Sequence, residues 1–135
     1  MLTEKDYCDY ETCVALKELG FDEKCHGHYE PLKKCFNTTS IKRCWCNSGV
    51  DDIGVIICPT LYEAHKWLRE EKNIIVEVFV DDDSDTPITY NIYKDGECVC
   101  HHHGKYWSVN EWSEALAEGI KQSIEILKED ETIHR

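Results

Sequence analysis

The sequence has no long apolar run, no surplus of bases and no glycine-rich or proline-rich stretch. Its longest strongly apolar segment, Val55-Ile56-Ile57-Cys58, falls far short of the roughly 20 residues needed to span a bilayer. Nor does the chain open like a secretory leader, because Met1-Leu2-Thr3-Glu4-Lys5-Asp6 places acids where such a leader has bases followed by an apolar run. These absences predict a cytoplasmic protein that makes no membrane contact. Lys and Arg number 15 against 27 Asp and Glu, a net charge of −12. With no basic cluster interleaved among the aromatics, direct nucleic-acid binding is not expected. Internal repeats and low-complexity linkers are missing, as are phosphate-binding glycine loops, a Ser/His/Asp order and paired catalytic carboxylates.

What is present favours one folded body. The 135 residues are 41% hydrophobic and include 4 Trp, 7 Tyr and 3 Phe, enough apolar area to drive collapse despite 31% charged residues. A single domain over 1–135 is therefore expected, with residues 21–53 irregular and cysteine-rich and 130–135 frayed. The charge is uneven, with 7 bases against 10 acids in 1–58 and 8 against 17 in 59–135. Any acidic face belongs to the second half. The nine cysteines are an odd count, and in a reducing compartment they stay thiols, serving as buried apolar side chains, metal ligands or a reactive thiolate.

Three capping boxes mark helix starts. Thr3 with Asp6 predicts a helix to Leu19, stopped by Gly20, with Tyr7, Tyr10, Val14, Leu16 and Leu19 on its apolar stripe. Thr60 with Glu63, just after Pro59, predicts a second helix to about Glu71 that Asn73 ends. Ser108 with Glu111 opens the third, from about Val109 to Lys128 or a little beyond, with Trp112, Ala115, Leu116, Ile120, Ile124 and Leu127 facing inward. Between the helices, Ile74 to Val80 alternates as a strand. Thr89 to Tyr93 and Glu97 to Cys100 flank Lys94-Asp95-Gly96 as a hairpin. Cys25 to Tyr29 and Ile41 to Cys46 read as short strands, with turns at Pro31 and at Asn37-Thr38-Thr39-Ser40. The order predicts an α+β fold, an antiparallel sheet with about three helices packed on it.

The sharpest candidate site is a zinc knuckle pair made by Cys25, His28, Cys44 and Cys46, with Cys35 and His26 as substitutes. Thiolates and imidazoles suit zinc, but the second pair is separated by one residue instead of the usual two, and small buried thiols explain the same cysteines. Strand alternation would send Cys98, Cys100 and His102 to one face and His101 and His103 to the other, so that cluster suits adventitious metal only. Cys46, or Cys100 beside His101, is the first thiolate to test as a nucleophile. The run Asp81-Asp82-Asp83-Ser84-Asp85 lacks the central Gly and distal Glu of a calcium loop and reads as a solvated connection.

The segments Ile57-Cys58-Pro59-Thr60, Trp67-Leu68-Arg69-Glu70-Glu71-Lys72-Asn73-Ile74, Tyr90-Asn91-Ile92-Tyr93 and Glu114-Ala115 resemble those of a group of small uncharacterised proteins of gut Bacteroides-type bacteria, their phages and mobile elements. The opening Leu16-Lys17-Glu18-Leu19-Gly20-Phe21-Asp22-Glu23 is also similar. The resemblance covers about half the chain. It implies an α+β fold and a phage or mobile-element origin, and it brings no activity with it. The expectation is a non-enzymatic accessory protein that binds a host macromolecule through an acidic surface with exposed aromatics, its partner a protein. A zinc-stabilised module and a small cysteine-dependent enzyme are the alternatives, and an open edge strand would allow a homodimer.

Overall fold

The computed structural model describes residues 2–30, 36–38, 44–50, 53–101 and 104–133. The fold is α+β, and the chain forms two compact units, Met1–Glu63 and Ala64–Arg135. In place of the single sheet expected, the described residues form two three-stranded antiparallel sheets. The reason lies in 21–58, whose short strands pair among themselves.

In the first unit the Thr3 N–H donates to Asp6 Oδ2 at 2.8 Å, as a capping box should, yet this closes only a 3₁₀ turn, Glu4–Asp6. Tyr7 then extends to pair with Thr60. Helix α1 (Tyr10–Glu18) starts afresh at Asp9, whose Oδ1 accepts from the Thr12 N–H at 2.9 Å. The helix expected from Thr3 is thus broken by a backbone pairing with a distant segment. Its buried face is Thr12, Cys13, Ala15 and Leu16 instead of a stripe led by Tyr7, Tyr10 and Val14. Gly20, at φ 101°, ends the helix as expected. Strand β1 (Gly27–Tyr29) lies between β2 (Phe36–Thr38) and β3 (Ile56–Cys58), and α1 and the single turn α2 (Asn47–Val50) pack on β3. Asn37 and Thr38 therefore belong to a strand and not to a turn. Pro31, Thr39 and Ser40 lie outside the described residues.

Helix α3 (Leu61–Lys72) opens on its predicted cap, with the Thr60 N–H donating to Glu63 Oε1 at 2.8 Å and the Glu63 N–H to Thr60 Oγ1 at 3.0 Å. Asn73, in the left-handed region at φ 52°, ends it and turns the chain into β4 (Ile74–Val80). β5 (Ile88–Lys94) pairs with β4 and, across a two-residue turn, with β6 (Glu97–His101). Asp95 and Gly96 sit at φ 52° and 85°, the two positive values that a right-twisted hairpin demands. Helix α4 (Trp112–Ile133) covers β4 and β5, burying Ala115, Ile120, Ile124 and Leu127. Gly119 permits this approach, since a Cβ there would collide with the Val76 side chain. The Ser123 hydroxyl, fully buried, donates to the Gly119 carbonyl at 2.8 Å. Trp112, expected inside, is 44% exposed. Periodicity marks a helix face but not how far the sheet extends beneath it.

The outer edge of β4 meets α3 at one polar point, where the Val76 N–H donates to His65 Nε2 at 3.1 Å. The other ring nitrogen, Nδ1, lies 3.0 Å from Arg69 Nη1. Burial first, and Arg69 second, push His65 down to about 4. An unfolded histidine titrates near 6.5, so between about pH 6.5 and 4 the unfolded chain holds a proton that the folded chain refuses. This stabilisation is complete above pH 6.5 and is lost as the pH falls towards 4. The difference in unfolding free energy, from urea titration, between the wild type and His65→Gln, which keeps an acceptor but does not titrate, is expected to shrink by about 1–2 kcal/mol from pH 7 to pH 4.5.

Candidate functional site

The sequence-predicted zinc ligands meet in the first unit, but in different pairs from those the spacing suggests. Cys25 and Trp45 exchange both backbone bonds, at 2.8 and 3.0 Å. In that register the next pair, His26 and Cys44, faces across without backbone bonds, the arrangement in which side chains come closest. Cys44 Sγ lies 3.4 Å from His26 Nε2 and 3.7 Å from Nδ1. Trp45 takes the face opposite its neighbours and places its ring 5.0 Å from that of His28. Buried Cys25 directs its thiol at the Glu23 carbonyl, 3.7 Å away, and Cys46 Sγ is 3.5 Å from Ser48 Oγ. The structure thus brings together Cys44 and His26, one of the named substitutes, while Cys25, His28 and Cys46 each have other neighbours. Cys35 lies outside the described residues. Among the described residues no group of three or more His, Cys, Asp or Glu is disposed to hold a metal ion.

The other cysteines divide by burial. Cys8, Cys13 and Cys58 are core side chains, and burial drives the Cys8 and Cys13 thiols well up, so both remain protonated at neutral pH. The Cys8 carbonyl accepts from Cys58 Sγ at 3.1 Å and from the Tyr29 hydroxyl at 3.2 Å. On β6 the expected shared face of Cys98 and Cys100 is broken by a bulge. Cys98 opposes Tyr93 and Cys100 opposes Ile92, adjacent residues on opposite faces of β5. Burial raises the Cys100 thiol, which removes it as the first thiolate to test, whereas Cys98 is exposed. His102 and His103 lie outside the described residues.

The second unit carries a different feature at the end of its sheet. There the acidic connection leaves β4 and returns to β5, tied by the Asp81 N–H to the Pro87 carbonyl at 2.7 Å. Trp107 bridges to Ile88, the partner of Val80, so Val80, Ile88 and Trp107 form one row across the sheet. Ser108 follows at once and caps the turn into α4, its N–H donating to Glu111 Oε1 at 3.0 Å. This short path sets Val80, Tyr106, Val109 and Trp112 at one end of the unit, and they are 64, 42, 66 and 44% exposed. Asp81, Asp82, Asp83, Asp85, Glu111 and Glu114 are exposed beside them. The Tyr106 hydroxyl donates to Asp81 Oδ2 at 3.3 Å, joining the aromatic and acidic parts of the rim. The Asp82 carboxyl is held below its usual range by accepting from Ser84. Lys105, the cation nearest in sequence, is engaged by Glu118 at 3.1 Å. Apolar and aromatic side chains ringed by carboxylates suit a cationic, partly apolar ligand.

Set against known protein families, curated proteins and solved structures, the chain matches none. No helix among the described residues is long and apolar enough to cross a membrane.

Proposed function

We propose that the chain is a non-enzymatic binding protein that docks on a basic host protein through the rim of its second unit, and that it serves a phage or mobile element as an accessory factor. The observation that carries this reading is the exposure of Val80, Tyr106, Val109 and Trp112 together, beside the 81–85 acidic connection. Scattered surface apolar residues need no explanation, but four exposed near a run of carboxylates do. The aromatic faces supply contact area at low entropic cost, and the carboxylates steer and orient a cationic partner.

A defined probe tests the chemistry before any partner is known. An amphipathic peptide of alternating Arg and Leu, titrated into the ¹⁵N-labelled full chain, is expected to shift amides at 80–85 and 105–112. Its affinity is expected to fall steeply as salt rises from low to physiological ionic strength. Trp112→Ala is expected to weaken binding by about tenfold while leaving the melting temperature within a degree or two, because the side chain is half in solvent. Shifts confined to other surfaces, or equal binding by Trp112→Ala, count against the reading.

A further inference from the structure

Independently of that rim, we propose that Cys44, with His26 as its base, is a thiolation site that reacts with low-molecular-weight disulfides. Three observations carry it. The Cys44 thiol is exposed, whereas Cys8, Cys13, Cys25 and Cys58 are buried. Its sulfur lies 3.4 Å from one imidazole nitrogen and 3.7 Å from the other, which puts both ring nitrogens within reach of it. This closeness is built into the backbone, because the Cys25–Trp45 pair fixes His26 and Cys44 as the following cross-strand pair. His26 also borders an open groove of about 420 Å³ walled by Tyr7, Phe36, Thr38 and Glu4. The rings of Tyr7 and Phe36 pack there at a tilt of 51°, with centroids 4.7 Å apart. The groove gives a small reagent access to the imidazole side of the pair.

The step balances without further reagents. The Cys44 proton passes to the His26 ring, the thiolate attacks one sulfur of RS–SR, and a Cys44–S–SR bond forms as the original S–S bond breaks. The leaving RS⁻ takes the proton from the imidazolium and departs as RSH. The small disulfide is reduced to one equivalent of thiol, and Cys44 is oxidised to the mixed disulfide. The molecule carries its own reference, since Cys98 is equally a surface thiol, but its sulfur is directed at the Cys100 carbonyl, 3.5 Å away.

Reduced full-length protein is incubated with oxidised glutathione near pH 7.5 in the presence of a chelator, quenched with acid and mapped by peptide mass spectrometry. Cys44 is expected to acquire glutathione about ten times faster than Cys98, with Cys13 and Cys58 untouched. In His26→Ala the Cys44 rate is expected to drop to about that of Cys98, whose own rate stays constant. If alanine at 26 opens the fold, labelling of Cys13 and Cys58 will show it, and His26→Phe, which keeps the ring volume, is read in its place. Equal wild-type rates at Cys44 and Cys98 overturn the proposal. So does a Cys44 rate that survives loss of the imidazole while the buried thiols stay protected.

Discussion

Gly27→Ala is expected to destabilise the first unit by about 3 kcal/mol, seen as a lower urea midpoint with an unchanged slope. The sign is not obvious, because alanine in a strand is ordinarily favoured over glycine by about 0.5–1 kcal/mol through its smaller loss of backbone freedom. At this position the added methyl group has nowhere to go. It would fall against the Cys58 carbonyl oxygen of the paired strand and within 3.0–3.1 Å of the Tyr7 ring. Neither neighbour can retreat cheaply. Gly27 and Cys58 are direct partners in the β1–β3 register, and Tyr7 is held both by its pairing with Thr60 and by its tilted ring contact with Phe36. Relief would require the two strands to part, with loss of backbone bonds on either side. Gly49→Ala is the control, because its Cβ would meet only Cys46 Sγ at 3.5 Å, an ordinary contact, and a small stabilisation of about 0.5–1 kcal/mol is expected.

Much of the second unit was legible because its signals are local. Asp95-Gly96 announces a turn whose positive φ angles only such residues adopt readily, and the Ser108/Glu111 pair announces a helix start within four residues of sequence. The first unit hides its organisation because its decisive contacts join distant segments. A cap at Thr3 is chemically sound, yet the Tyr7–Thr60 pair outweighs it and ends the first turn early. The same limit applies to the sites. Cys44 meets His26 only because Trp45 is in register with Cys25, and a shift of one residue would put another pair together. Cys98 and Cys100 parted faces at a bulge that no alternation pattern contains. The acidic loop and Trp112 were each visible in the sequence, one as a solvated connection and the other as core. Their placement at one end of a sheet depends on the Ile88–Trp107 bridge, which has no local signature.

Asn47→Asp is expected to be the most damaging single-atom exchange in the first unit, with a loss of about 3–4 kcal/mol at pH 7. Asn47 is 4% exposed and satisfies two backbone groups from separate segments. Its Nδ2 donates to the Phe21 carbonyl at 2.8 Å, and its Oδ1 accepts from the Ile57 N–H at 3.1 Å. Aspartate keeps the acceptor for Ile57 but sets an anion against the Phe21 carbonyl, losing a hydrogen bond and burying a charge in the same exchange. Asn47→Leu removes both side-chain bonds but buries no charge, and a smaller loss of about 2–3 kcal/mol is expected. The two variants separate on pH. Burial raises the folded-state pKa of the new carboxyl above its unfolded value near 3.9, so the folded chain binds the proton more tightly and stability relative to wild type recovers as the pH falls. Once protonated, the carboxyl regains an O–H that can donate to Phe21. Unfolding free energies from urea titrations at pH 7 and pH 4.5 are therefore expected to show the Asp deficit shrinking by about 1–2 kcal/mol while the Leu deficit stays constant. A deficit for Asp that does not change with pH would mean that water reaches the side chain, and the two bonds would then be a surface contact instead of the polar link between Phe21 and β3.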